Sequence, residues 1–126
     1  MNETLLPKET MIVSETDERG VITYANDDFC KIAEYSKGEL IGRPHNIVRH
    51  PDMPKVAFKD LWETIKAGKI WNGIVKNRTK TGKFYWVNAT AFKKISPDGS
   101  VRYVSVRVQP TRAEVEFAEN LYKTLH

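Results

Sequence analysis

The chain has 126 residues, of which 40% are hydrophobic and 29% charged, with a formal net charge of +4. That length suits one domain with one core, and no apolar run nears the ~20 residues of a membrane span. The single cysteine, Cys30, excludes an intrachain disulfide and a cysteine-rich metal site.

The basic balance bears on solubility and association, not on fold. No dense Lys/Arg stripe or groove-reading motif accompanies it, so no nucleic-acid partner is expected. Residues 1–10, MNETLLPKET, lack the basic flank and apolar stretch of a signal peptide. A cytoplasmic location without direct membrane insertion is the expectation.

Residues 1–10 read as a polar arm or cap. Residues 11–16 and 21–25 are strand-like and flank the Asp17-Glu18-Arg19-Gly20 turn, which predicts a hairpin. Asn26 can cap a helix that opens on Asp27-Asp28 and buries Phe29, Ile32 and Ala33. Ser36 and Glu39 have capping-box spacing and open a short turn ending near Gly42.

Residues 43–54, RPHNIVRHPDMP, follow. Pro44, Pro51 and Pro54 each remove a backbone donor, so only short turns fit. The polar groups of such a segment need partners from the protein or from a ligand. His50 could ligate a metal or haem iron, act as a base, or bond locally. Arg49 could pair with Asp52 or offset charge on a ligand. Asp52 could equally cap the next helix, and His45 reads as a surface or capping residue.

Pro54 suits the start of that helix, whose apolar face is Ala57, Phe58, Leu61, Trp62 and Ile65; Gly68 stops it. Three strands then follow at 71–79, 84–93 and 100–109. The turns between them are Lys80-Thr81-Gly82-Lys83 and Ser96-Pro97-Asp98-Gly99. Thr111 and Glu114 form a second capping box before a terminal helix carrying Phe117, Ala118, Leu121, Tyr122 and Leu125. The order implies an α+β domain with an antiparallel sheet, helices across one face, and a cavity between them.

Period-2 reading assigns faces. Trp71, Gly73, Val75, Asn77 and Thr79 should point inward, since Lys76 and Arg78 lie on the other phase. Gly73 lets something flat approach the backbone. A buried Asn77 amide needs a partner, either backbone or the polar edge of a ligand. Ala89 and Ala91 would leave room above the sheet. Phe84, Trp86 and Phe92 would then form an outward apolar patch for a partner or the terminal helix. In the last strand Val104, Val106 and Val108 favour the core over Ser105 and Arg107. No nucleophile elbow, phosphate-binding glycine loop or HExxH motif appears, so neither a catalytic residue nor a metal site is expected.

Tyr24-Ala25-Asn26-x-x-Phe29, Tyr35-x-x-x-Glu39-Leu40-x-Gly42, and Trp86 after the Thr81-Gly82-Lys83 turn resemble a PAS domain. PHNIVRHPDMPKVAF, Trp71, GIVKNRTKTGKFYWV and the terminal EVEFAENLYKTL resemble, more narrowly, the flavin-binding PAS domain of bacterial aerotaxis receptors. The resemblance spans about residues 10–126. It implies a five-stranded antiparallel sheet with short helices on one face enclosing a cofactor pocket, plus a C-terminal helix. The expected divisions are an arm at 1–10, the PAS domain at 11–110 and a helix or linker at 111–126. It also implies non-covalently bound FAD, held by residues matching Arg49, His50 and Asp52, with Asn26, Trp71 and Asn77 as further pocket residues.

The implied role is a non-enzymatic redox or energy sensor that relays flavin state to a chemotaxis transducer or signalling module, in cis or in trans. A homodimer is compatible with it. Light-sensing flavin PAS domains carry a reactive cysteine in the segment matching 43–54, where this chain has none, so adduct photochemistry is not expected. Two other readings stay open: a haem-binding PAS gas sensor with His50 or His45 as axial ligand, and a ligand-free PAS interaction module.

Overall fold

Five strands form one antiparallel sheet in the order β2-β1-β5-β4-β3, in a computed structural model that describes residues 2–125. The strands are β1 (Ile12–Thr16), β2 (Ile22–Ala25), β3 (Trp71–Arg78), β4 (Phe84–Ile95) and β5 (Val101–Val108). Helices α1 (Asp27–Ala33), α2 (Lys37–Leu40) and α3 (Lys55–Lys66) lie between β2 and β3, with a 3-10 turn at His45–Val48. Helix α4 (Arg112–Lys123) closes the chain.

This order explains where the cavity sits. β2 and β3 occupy opposite edges, so the chain between them must cross a whole sheet face. Four short helical pieces make that crossing and cover the face incompletely. Two capping boxes form at the expected positions, Ser36/Glu39 on α2 and Thr111/Glu114 on α4. The proline-rich stretch carries the 3-10 turn and then runs beside edge strand β3, bridging Arg49 to Asn77. α3 starts at Pro54 with no side-chain cap, so Asp52 does not cap it.

The core joins both layers: Ile12, Ile22, Phe29, Leu40, Val48, Ile65, Tyr85 and Val87 are buried. Burying each of the larger apolar side chains contributes ~1.5–3 kcal/mol. α1 ends on Glu34, whose left-handed backbone (φ 66°) turns the chain toward the β3–β4 turn. There the Glu34 carboxylate accepts from the Thr81 amide and hydroxyl. Hydrogen bonds from Thr79 and Thr81 hold that carboxyl down to about 2.

α4 packs on the opposite sheet face, where Val115 and Ala118 cover Trp86. The Tyr122 hydroxyl donates to the Ile74 carbonyl. Two of the three outward aromatics of β4, Trp86 and Phe84, therefore pack with the terminal helix, one of the two occupants expected, whereas Phe92 lies outside that cluster. The face assignment of β5 is corrected. Arg107 is 2% exposed and lies on the cavity side, and Ser105 shares that phase. Val108 is the exposed residue instead. The valines line the outer sheet face, which is itself largely apolar, so valine alternation did not identify the core. Among the described residues no helix is long and apolar enough to cross a membrane.

Candidate ligand cavity

Between the sheet and α3 lies an open cavity of about 420 Å³, within the size range of small-molecule sites. Val75, Ala89 and Ala91 form its floor. Ala89 and Ala91 leave that floor low, as their phase predicts. Phe58, Leu61, Trp62 and Tyr103 supply apolar wall, with the Trp62 and Tyr103 rings edge to face at 5.3 Å. Exposed Glu18, Arg19 and Lys66 stand at the mouth.

The polar end is built by β1, the 3-10 turn and β5. The Arg107 Nη2 group donates to Ser14 Oγ at 2.6 Å, and its Nη1 lies 2.9 Å from His45 Nε2. Ser14 Oγ is 3.2 Å from the same imidazole nitrogen. Arginine cannot accept, so His45 Nε2 is the acceptor and His45 is a neutral ring with its proton on Nδ1. Phe29 stacks on His45, with centroids 5.9 Å apart, and lies 4.6 Å from the Arg107 guanidinium carbon.

Burial drives His45 down to about 3, with Arg107 adding to the effect and Arg49 contributing less. Burial also lowers Arg107 to about 10. Among the described residues no carboxylate pairs with either arginine, and the Nε atoms of Arg49 and Arg107 and Thr16 Oγ1 are buried without hydrogen-bond partners. Buried unpaired cations and orphaned polar atoms are costly. The cavity's chemistry therefore matches a flat, partly polar ligand that carries or gains negative charge.

A histidine held below its unfolded value of 6.5 makes folding pH-dependent. The unfolded chain binds a proton that the folded chain refuses. The stability contribution is whole above about 6.5 and is lost as pH falls toward about 3. Urea unfolding is expected to lose about 2 kcal/mol through His45 between pH 7 and pH 5. His50, also lowered by burial, acts in the same direction. His45→Gln should flatten the profile, and an unchanged slope would place His45 in solvent.

The six anticipated site residues fall into two groups. Arg49 and Asn77 line the cavity. The Arg49 guanidinium lies over Phe58 at 3.7 Å rather than on Asp52. With its amide oriented to satisfy both ends, Asn77 donates to the Val48 carbonyl at 3.2 Å. The other four lie outside the cavity lining. His50 is buried beside it, with Nδ1 accepting from the Asp52 amide and its ring edge-on to Phe84. Asp52 is ion-paired to Lys76 at 2.9 Å.

Trp71 donates from Nε1 to Asp60, and its ring covers Gly73 so closely that a Cβ there would lie 2.3 Å away. The flat group over Gly73 is thus the protein's own indole. Asn26 caps α1 and tethers β1: it accepts from Phe29 N and Val13 N and donates to the Met11 carbonyl. Arg107, Ser14, Tyr103 and Trp62 were not anticipated as site residues, and His45 was expected at the surface or as a cap.

A five-stranded antiparallel sheet with helices spanning one face and a cavity beneath them is the architecture of a PAS-type fold. The PAS fold family matches residues 22–106, and the chain belongs to that family. It is 47% identical over 123 residues to the aerotaxis receptor of Escherichia coli K12, covering 98% of this chain and 24% of that one. The nitrogen fixation regulatory protein of Klebsiella pneumoniae is 26% identical over 100 residues, covering 79% of this chain and 20% of that one. The chain thus spans about a quarter or less of the length of these relatives. Among solved structures, the dark state of the blue-light photoreceptor Aureochrome1 LOV superposes with a TM-score of 0.75 at 19% identity. That superposition covers 91% of this chain and 86% of the other, and it is a likeness of fold.

Proposed function

We propose that this domain binds FAD non-covalently and senses redox or energy state, passing the flavin's charge to a chemotaxis signalling partner in the cytoplasm. The observation that carries this reading is the cavity itself: an alanine floor and aromatic walls that fit a planar ring system, with a buried Arg107 and a half-buried Arg49 that have no carboxylate partners among the described residues. The 47% identity to an aerotaxis receptor supports the signalling assignment. The sensor unit is residues 11–110, with 111–126 as the connection to a partner in cis or in trans.

Arg49, Asn77 and Arg107 would meet polar atoms of the ring system, and Arg19 and Lys66 at the mouth are placed for phosphate. His50 and Asp52 act one step back. Their mutual contact and the Asp52–Lys76 pair hold the loop that carries Arg49 along β3. Trp71 braces α3 against β3 through Asp60. The bound flavin supplies electron acceptance. The protein excludes bulk water, orients the ring and offsets its charge.

The test is the absorption spectrum of purified protein with identification of the released cofactor. Flavin bands and FAD support the reading; a Soret band or a colourless protein that takes up no flavin overturns it. Arg49→Ala should lower FAD retention about tenfold or more while the fold survives, because it removes one charge-assisted contact of ~1.5–3 kcal/mol.

A further inference from the structure

We infer that His45, Ser14 and Arg107 form a proton-coupled charge sensor, in which negative charge arriving on the bound ring draws one proton onto His45 Nε2 and releases the Arg107 Nη1 contact toward the ring. The inference rests on the flavin reading and adds to it a defined output.

The triad has two mutually exclusive hydrogen-bond arrangements. In the one observed, His45 Nε2 accepts from Arg107 Nη1, and the Ser14 hydroxyl accepts from Arg107 Nη2 while able to donate to the imidazole. Protonated His45 has no acceptor nitrogen. Its Nε2–H must donate, and Ser14 Oγ can accept only if its own hydrogen turns away. Arg107 Nη1 then faces a donor and cannot stay. The nearest open space is the cavity, which both side chains line. One protonation thus swaps a bonded guanidinium for a displaced one. Such a pair of discrete states is what a charge change can bias.

The charges around His45 favour this coupling. β5 presents Arg107, the end of the 3-10 turn presents Arg49, and both oppose protonation. β4 presents Tyr85, kept neutral by burial and pushed up to about 12. α1 contributes the Phe29 ring. Glu18 on the β1–β2 turn is the one carboxylate lining the cavity among the described residues; it stands exposed at the mouth with Arg19 and Lys66. A negative charge inside the cavity is therefore the missing counter-charge for His45. The balance is simple. A one-electron reductant is oxidised, its electron passes to the ring, and one proton from water passes to His45, leaving the net charge of the site unchanged.

The holo protein is reduced by one electron per flavin with reduced methyl viologen, which releases no proton on oxidation, in weakly buffered solution containing a pH indicator, and proton uptake is followed with the imidazole signal of ¹⁵N-labelled histidine. Wild type should take up one proton per electron, with His45 becoming imidazolium. Compared per flavin bound, His45→Gln should reduce with uptake lowered by one. Wild-type reduction that leaves His45 neutral overturns the proposal while the flavin reading stands; failure to bind FAD overturns that reading first.

The ligand-free protein supplies a second measurement that needs no flavin. His45 should titrate higher in Arg107→Gln than in wild type, and Arg107→Lys should restore the lower value. A His45 titration indifferent to residue 107 refutes the coupling. Should Arg107→Gln fail to fold, the His45→Gln uptake experiment still decides the matter.

Discussion

Ala91→Leu is expected to yield a folded protein that no longer retains FAD. Ala91 is 4% exposed and sits on the inward phase of β4, where it lines the cavity beside Ala89. Its cross-strand partners are Trp71 on β3 and Ser105 on β5, so no neighbour on the ladder can move aside without breaking a central pairing. A leucine side chain there must rise into the space a flat ring would occupy. In the ligand-free protein that space is open, and filling it with apolar atoms should change stability by no more than about 1 kcal/mol. With a ring present the same atoms overpack, which costs ~1–3 kcal/mol, or about 5–150-fold in affinity. Flavin-to-protein ratio after desalting, read beside the circular dichroism spectrum, checks both halves. Ala91→Gly should keep the flavin. Full occupancy in Ala91→Leu would put the ring elsewhere.

The floor was legible in the sequence because β4 alternates small and large residues in a regular strand. The opposite end was not, although the means of reading it were present. The turn at 96–99 was recognised, and counting outward from Asp98 pairs Ala91 with Ser105 and Ala89 with Arg107. Directly opposed residues share a face. The alanine floor therefore implied an inward Arg107, against the valine alternation of β5. Register outranks composition where both faces are apolar, and here α4 and the valines make the outer face apolar too.

The proline-rich stretch shows the converse. Its short turns follow from three prolines, but its division of labour does not. Arg49 faces the cavity whereas His50 and Asp52 turn to the edge of β3. A single bridge to Asn77 decides this, and such a tertiary contact has no periodic signature. His45, one residue beyond Pro44, points inward because the 3-10 turn rotates it over Phe29.

Asn26→Ala should reveal a residue that affects cofactor retention through the fold. The amide makes three bonds, accepting at 3.0 Å from Val13 N and 3.1 Å from Phe29 N, and donating at 2.9 Å to the Met11 carbonyl. It joins the start of α1 to β1, the strand that carries Ser14. Losing the cap costs ~1 kcal/mol. Leaving the part-buried Val13 amide unpaired costs ~1–3 kcal/mol more. The expected total is about 2–4 kcal/mol, a fall of roughly 10 °C in Tm.

Asn26→Asp keeps both accepted bonds and loses only the donor, so it should fall between wild type and alanine. Asn26 does not line the cavity. At a temperature where the variants are folded, their FAD dissociation constants should therefore match wild type within about twofold, since no ligand contact is removed. Flavin lost on heating should track unfolding. A variant that keeps its Tm yet loses FAD in the cold would place this amide against the ligand and overturn the structural assignment.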